Sequence, residues 1–142
     1  MRPAEAARAA FNRYASLDAP LLPSHAADNP DQLWLADLQV ELARWQHSNF
    51  GIASDEQLAL GVAEEAGELA HAVLKHSQRI RGLADQDTYR EQAGDAIADA
   101  VIYAMQLATA LRLDFAVLLH ETARKVMDRK WREHPEHGGA AP

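Results

Sequence analysis

The chain has 142 residues, of which 48% are hydrophobic and 25% charged, a composition typical of one globular domain with a modest core. The lack of cysteine excludes disulfides, thiolate metal sites and thiol catalysis. The 14 basic and 21 acidic residues give a net charge of −7, which argues against a nucleic-acid-binding surface. No apolar run is long enough for a membrane span or a signal-peptide core, so we expect a cytoplasmic protein.

Helical periodicity dominates the chain, because apolar residues recur at intervals of three and four and alternating strand patterns are nearly missing. Ser54 with Gln57 predicts a capping box, and Gly82 suits the left-handed position after a helix. The predicted elements are a short helix at about 4–15, a Pro-rich arm at 18–30, and helices at about 30–46, 54–80, 87–112 and 115–133. We therefore expect an all-α protein with a four-helix-bundle core over 31–134, a short N-terminal helix and arm over 1–30, and a disordered tail over 135–142.

Carboxylates lie at unusual positions on the two central predicted helices. In the helix at 54–80, Glu65 and Glu68 flank an apolar face that consists of Leu58, Val62, Ala66, Leu69 and Val73. In the helix at 87–112, Asp95 and Asp99 project from the side opposite a main core face of Ile97, Val101, Ala104, Ala108 and Leu111. Because residues 100–111 are apolar nearly all round, we expect this helix to be buried on more than one side. Both aspartates should then face another element.

These acidic residues lack the cations that normally accompany them on a helix surface. The partners four residues apart are like-charged: Glu64 with Glu68, Glu91 with Asp95, and Asp95 with Asp99. A solvated salt-bridge face is the ordinary explanation of a charge run, but no Lys or Arg stands three or four residues from Glu65, Glu68, Asp95 or Asp99. Oxygen ligands without sulfur instead predict that these four side chains hold Mg²⁺, or Mn²⁺ in its place.

Two acidic motifs together resemble a known family. Residues 64–70 (EEAGELA) and 95–103 (DAIADAVIY) are similar to the paired motifs of the MazG-like all-α nucleoside triphosphate pyrophosphohydrolases. The resemblance covers roughly 33–131, including Trp45, the Asn-Phe-Gly break at 49–51, and the basic stretch at 125–131. The chain departs from the pattern at Ala96, where the family usually has Glu, and Asp95 is the available substitute.

The resemblance implies Mg²⁺-dependent hydrolysis of a nucleoside or deoxynucleoside triphosphate to the monophosphate and pyrophosphate, in nucleotide-pool sanitation. The metal ions would be held by Glu65, Glu68, Asp95 and Asp99, and Glu64 would orient or deprotonate the attacking water. We expect the phosphates to be bound by Lys125, Arg129, Lys130 and Lys75. We expect the base to be bound by Trp45, Phe50 and Tyr103.

The same sequence leaves two alternative functions open and predicts an oligomeric state. Glu68 and His71 form one E-x-x-H pair of the kind found in di-iron carboxylate bundles, but the second such pair is missing. A non-catalytic module that binds metal or nucleotide is the alternative from another class. The nearly continuous apolar surface of the last two helices exceeds what a small monomer covers, so we expect a homodimer or homotetramer.

Overall fold

The computed structural model describes residues 30–136, 138 and 139, and over these residues the chain forms four helices and no strand. The helices are α1 (Pro30–Phe50), α2 (Asp55–Gln78), α3 (Gln86–Ala110) and α4 (Phe115–Met127). The predicted all-α class is therefore confirmed for this part of the chain. The predicted helix at 4–15 and the predicted arm at 18–30, apart from Pro30, lie outside the described residues, and Pro30 is the first residue of α1.

Side-chain caps begin three of these helices. The Ser54 hydroxyl accepts a hydrogen bond from the backbone N–H of Gln57 at 3.2 Å, and the Gln57 side-chain oxygen accepts one from the Ser54 N–H at 2.9 Å, which confirms the predicted capping box. Asp85 caps α3 by accepting hydrogen bonds from the N–H and the hydroxyl of Thr88, each at 2.8 Å. Asp114 caps α4 through the N–H of Val117 at 3.0 Å.

Three helix ends differ from the predicted ones. Helix α1 continues to Phe50 instead of ending at about 46, so Asn49 is still helical and the predicted break begins only at Gly51. Arg79, with φ 57°, is the left-handed residue that ends α2, whereas Gly82, with φ 78°, lies in the turn that follows. The last helix ends at Met127 rather than near 133. Its continuation forms separate turns instead, because the backbone N–H of Lys130 bonds to the carbonyl of Gly138 at 2.8 Å. The disordered tail at 135–142 stays a prediction, since only part of it is described.

Helices α2 and α3 form an antiparallel hairpin with the most extensive helix contact in the described chain. Small residues line this contact, and Gly61, Ala72, Ala93 and Ala96 are all buried. A Cβ atom at Gly61 would lie 2.3 Å from two ring carbons of Tyr103, so the absence of a side chain there allows the ring to lie on the α2 backbone. The hairpin is therefore packed through small residues rather than through its large aliphatic ones.

The turn end of the hairpin is closed by a small cluster. Leu83 from the connection is 2% exposed and packs with Ala72 and Ala93. His76 Nδ1 lies 2.6 Å from the carbonyl oxygen of Leu83, and its ring stacks on Tyr89 with 4.0 Å between ring centroids. These contacts hold the start of α3 against the end of α2.

The predicted core faces of α2 and α3 are only partly right. Leu58 and Ala108 are buried, but Val73, Ile97 and Val101 are 47%, 52% and 44% exposed. The row of residues that packs against the neighbouring helix, here called the packed stripe, contains the small residues Gly61 and Ala72 on α2 and Ala93 and Ala96 on α3. The larger side chains therefore lie one position further round each helix. Because the helices are antiparallel, positions that follow the packed stripe by one fall on the same side of the hairpin. This apolar side consists of Val62, Ala66, Val73, Ile97 and Val101.

The C-terminal half of α3 is buried on several sides, as predicted. Met105, Gln106 and Ala108 are all buried, although they point in different directions round the helix. Helix α1 packs on this half and on α4. Among the described residues no single helix is long and apolar enough to cross a membrane, and α3 and α4 reach that length and composition only when counted together across a 111° bend.

A buried glutamine joins α1 to the corner between α3 and α4. Gln39 is 2% exposed, and its side-chain nitrogen donates hydrogen bonds to the Thr109 hydroxyl at 3.0 Å and to the Leu113 carbonyl at 2.9 Å. Its side-chain oxygen accepts one from the backbone N–H of Phe115 at 2.9 Å. All three bonds are long-range in sequence, so this one side chain fixes where α1 sits on the corner.

Candidate active site

Glu65 lies at the centre of the packed stripe of α2. It stands one turn after buried Gly61 and two turns before buried Ala72, so its side chain leaves the helix toward α3. The residue is half-buried, and its Oε2 atom has neither solvent contact nor a hydrogen-bond partner. A carboxylate oxygen in such a position normally has a partner, so this one is available to a ligand.

The charges around Glu65 oppose its ionisation. Burial raises the pKa of the Glu65 carboxyl above its ordinary value, because the ionised form loses hydration. Nearby negative charges raise the same pKa further, and they belong to Glu68, Asp99 and Glu64. No cation of the described chain contributes a lowering effect. The structure therefore brings four of the predicted carboxylates into electrostatic contact without a balancing positive charge.

The other predicted acidic residues form one side of the hairpin, opposite the apolar side. On a helical wheel, Glu64 and Glu68 are rotated backwards from Glu65 by roughly 100° and 60°. Asp95 and Asp99 are rotated in the same sense from the packed stripe of α3. This acidic side, defined as Glu64, Glu68, Asp95 and Asp99, is exposed. The ion pair seen among the described residues, between Lys130 and Glu133 at 3.6 Å, lies elsewhere.

Asp95 is less closely associated with the group than the sequence motif implies. It is not among the charges that act on Glu65, and it lies one turn before Asp99 on an exposed part of α3. Ala96, which stands at the usual family Glu position, is 2% exposed inside the contact with α2. A longer side chain there would need space between the two helices that the small residues have closed.

The donor chemistry of the site fits a hard divalent cation. Carboxylate oxygens without sulfur or a neighbouring cation are the ligands that Mg²⁺ and Mn²⁺ prefer, and the unpartnered Oε2 of Glu65 is such an oxygen. Within residues 30–136, 138 and 139, however, no three acidic or histidine side chains converge closely enough to hold a metal ion. The helix backbone thus places Glu65 among its acidic neighbours, and their side-chain orientations do not form a finished coordination shell.

The basic candidates lie apart from Glu65. Lys75 is ten residues further along α2, about 15 Å by helical rise, and donates a hydrogen bond to the Gln78 side chain at 3.0 Å. Lys125 is near the end of α4, whose direction differs from that of α3 by a bend of 111°. Beyond it, the Arg129 guanidinium lies 5.8 Å from the Trp131 ring centroid, and Lys130 pairs with Glu133. Among the described residues, none of these contacts joins a predicted phosphate ligand to the acidic side.

The aromatic candidates form two separate groups. Trp45 and Phe50 contact each other edge-to-face at the end of α1, with 5.6 Å between ring centroids, and both are largely exposed. Tyr103 instead lies on Gly61, one turn from Asp99. Sequence reasoning missed Gln39 as a structural residue and the role of Gly61 in admitting Tyr103. The signal for Gly61 was a glycine on the flank of a helix that faces its neighbour.

The fold and the site together define an all-α protein with an acidic, cation-free contact between two antiparallel helices. The family model of the MazG nucleotide pyrophosphohydrolase domain matches residues 53–134, which is more than half of the chain and includes α2, α3 and α4. The chain therefore belongs to the MazG family, and the resemblance of its two acidic motifs is confirmed. Comparison with curated proteins and with solved structures gives no match.

Proposed function

We propose that this protein is a Mg²⁺-dependent pyrophosphohydrolase that converts a nucleoside or deoxynucleoside triphosphate to the monophosphate and pyrophosphate, in nucleotide-pool sanitation. Family membership supports the nucleotide pyrophosphohydrolase class. The observation that carries the finer proposal is Glu65, whose buried, unpartnered oxygen lies among three further carboxylates. A site of this charge binds a polyanionic triphosphate only with cations between them.

The metal would be held by Glu65, Glu68, Asp95 and Asp99, with Glu65 as the most deeply placed ligand. A divalent cation there supplies neutralisation of phosphate charge and a lowered pKa for a bound water. Glu64 is exposed next to Glu65 and faces the acidic side, a position that suits accepting a proton from the attacking water or holding that water in line. Attack of this water on the α-phosphorus would break the bond to the bridging oxygen, give the monophosphate directly and release pyrophosphate. In this proposal no covalent intermediate forms, because the carboxylates serve as metal ligands and as the proton acceptor for water and not as nucleophiles.

Phosphate and base contacts complete the proposal. Lys125, Arg129 and Lys130 belong to an exposed basic segment at the end of α4, and Lys75 lies at the end of α2. Lys75, about 15 Å along α2 from Glu65, would bind the β- and γ-phosphates only after a change in position or from a neighbouring chain. Trp45, Phe50 and Tyr103 would stack on or enclose the base, and the first two are exposed enough to do so.

A second copy of the chain is proposed to cover the apolar side. Both helices contribute to this surface along the same antiparallel pair, so two copies could meet through it about a two-fold axis. A homodimer, or a homotetramer built from it, would bury Val73, Ile97 and Val101 and leave the acidic side free. Light scattering at micromolar concentration tests this, because a mass near 15.6 kDa would show that the chain is a monomer and would contradict the proposal.

Incubation with a panel of ribo- and deoxyribonucleoside triphosphates and Mg²⁺, with detection of pyrophosphate, tests the activity. Hydrolysis in ¹⁸O-labelled water should place the label in the monophosphate. Nucleoside diphosphate and orthophosphate as the first products would contradict the proposal. Omission of the divalent cation should abolish turnover.

A non-catalytic metal- or nucleotide-binding module is the second candidate. Two observations favour it: Ala96 replaces the usual family Glu, and no three ligands converge in the described residues. Calorimetric binding of a triphosphate with Mg²⁺, together with no turnover of any member of the panel, would establish this function instead. A di-iron site is not favoured, since His71 is exposed and has no equivalent on α3.

A further inference from the structure

Gln106 is a buried amide whose N–H group has no partner. The residue is 5% exposed, and its Nε2 atom makes no hydrogen bond and has no contact with solvent. Buried side-chain donors are nearly always paired in folded proteins. An exception in the middle of a packed helix points to a bond that forms only when a ligand is present.

The structural network nearby does not use Gln106. Gln39, the other buried glutamine at this end of α3, has both ends of its amide bonded. Thr109, one turn from Gln106, accepts from Gln39 and donates to the Met105 carbonyl at 3.0 Å. The fold therefore satisfies the polar groups that hold α1 on the corner and leaves the Gln106 N–H outside that network.

Gln106 lies on the same face of α3 as the two aspartates of the acidic side. Asp95, Asp99, Ile102 and Gln106 recur at intervals of four, three and four, so all four lie on one face of the helix. Gln106 is seven residues beyond Asp99, which is about 10 Å along the axis. This separation is comparable to the distance between the α-phosphate and the base of an extended nucleotide.

We infer that the Gln106 side chain recognises the base of the nucleotide by donating a hydrogen bond to a carbonyl oxygen or ring nitrogen. The inference rests on the proposed function, which holds the triphosphate at Glu65 and Asp99. A neutral, buried amide suits an uncharged, flat base and not a phosphate. The buried Nε2 reaches the ligand through a change of side-chain rotamer, a common movement when a binding surface is occupied.

The test compares base selectivity in the full-length protein and in Gln106→Met, which keeps the length of the side chain and removes its hydrogen bonds. kcat/KM is measured for each nucleoside triphosphate and for methyl triphosphate, which has no base. In Gln106→Met we expect kcat/KM for the preferred nucleotide to fall roughly 5- to 100-fold, because the acceptor on the base is left unpaired. The kcat/KM for methyl triphosphate should change less than about twofold.

Gln86→Met, at the exposed start of α3, is the matched control and should leave kcat/KM unchanged for every substrate.

The outcomes separate this inference from the function on which it rests. Equal effects of Gln106→Met on all nucleotides and on methyl triphosphate, or no effect on any, would overturn the role of Gln106 while the pyrophosphohydrolase activity stands. A wild-type protein that hydrolyses none of the triphosphates would overturn both. Thermal unfolding of Gln106→Met identifies a misfolded variant, and Gln106→Asn, which keeps the amide on a shorter side chain, then gives the selectivity measurement.

Discussion

Glu65 and Gln39 are both polar side chains at packed helix contacts, but their surroundings differ. Every hydrogen-bonding group of the Gln39 amide meets a partner from α3, α4 or the turn between them. Glu65 has an oxygen with no partner, and its charged neighbours have the same sign. A satisfied polar group stabilises the position of a helix, whereas an unsatisfied charge costs free energy that only a bound cation or proton offsets.

This difference divides the molecule into two regions. The corner around Gln39 is closed by the fold itself, and its residues are expected to affect stability. The α2–α3 contact around Glu65 is packed by small residues but electrostatically incomplete, so its residues are expected to affect ligand binding. Substitutions in the two regions should therefore separate activity from stability.

The largest effect is expected for Glu65→Gln, which keeps the shape of the side chain and removes its charge. Turnover should fall roughly 100-fold or more, as for loss of a principal electrostatic group of a site. The metal-free protein should be equally or more stable, because repulsion from Glu68 and Asp99 is relieved. Initial-rate assays and chemical denaturation in EDTA measure both.

Glu121→Gln is the control for that substitution, since Glu121 is an exposed carboxylate on α4, a different helix from the two that carry the acidic side. It should leave both rate and stability unchanged. If Glu65→Gln lowered the rate only in proportion to a loss of folded protein, Glu65 would belong to the structural region and the division would fail.

Gln39→Ala should produce the largest loss of stability. The substitution leaves the Leu113 carbonyl and the Phe115 N–H buried without their partner and opens a cavity, so we expect about 3 kcal/mol of destabilisation. Urea denaturation measures it. The exposed Gln92→Ala should change the free energy of unfolding by less than about 0.5 kcal/mol. A comparably small change for Gln39→Ala would mean that α1 is not held by this side chain.

Two glycines of α2 provide a matched pair of alanine substitutions with opposite expected effects on stability. Gly61→Ala places a Cβ atom 2.3 Å from the Tyr103 ring, so the ring or the helix must move, at about 1–3 kcal/mol. Gly67→Ala meets nothing within 4 Å and should stabilise the protein by up to about 1 kcal/mol through helix propensity. Thermal unfolding of both variants measures the contrast. Equal stabilisation by both would show that Tyr103 does not need the space above Gly61.

Sequence patterns predicted the helices, the capping box at Ser54 and the acidic motifs, because each depends on local periodicity or on a few neighbouring residues. They misjudged which faces of α2 and α3 pack, since hydrophobicity favoured Val73 and Ile97 while close approach favoured Gly61 and Ala96. Packing distance depends on both helices at once. A single helical wheel does not contain that information.

The site was predictable to the same extent. The absence of nearby Lys and Arg indicated that Glu65 and Glu68 are not surface ion pairs, and the raised pKa of Glu65 agrees with that interpretation. The looser association of Asp95 was not predictable, because it follows from Ala96 occupying the packed stripe. The positions of the basic residues depend on the 111° bend before α4, which no local motif encodes.

The pH dependence of folding stability in the metal-free protein gives a further test of the contrast between Glu65 and Gln39. Its pKa is raised above the ordinary 4.5, so the folded state binds this proton more tightly than the unfolded state does. The stability of the wild type relative to Glu65→Gln should therefore increase as the pH falls through the raised pKa toward 4.5. Urea denaturation of both proteins in EDTA between pH 4 and pH 8 measures the difference. A difference that is constant with pH would mean that neither burial nor the neighbouring carboxylates oppose the ionisation of Glu65.

The smallest effect is expected at the cap of α3, and its sign is opposite to that of Glu65. Hydrogen bonds from the N–H and hydroxyl of Thr88 lower the pKa of Asp85 below the ordinary 3.8, so the folded state prefers the ionised carboxyl. The stability that this cap contributes is present above the unfolded-state pKa and is lost as the pH falls through the lower, folded-state pKa.

Asp85→Ser keeps a capping oxygen that does not titrate, like the Ser54 hydroxyl that caps α2. The difference in unfolding free energy between wild type and Asp85→Ser should thus be constant above about pH 5 and shift toward the variant in more acidic solution. Because Glu65 and the acidic side are common to both proteins, their titration cancels in this difference, and a shift in the neutral range instead would show that Asp85 is coupled to the acidic side.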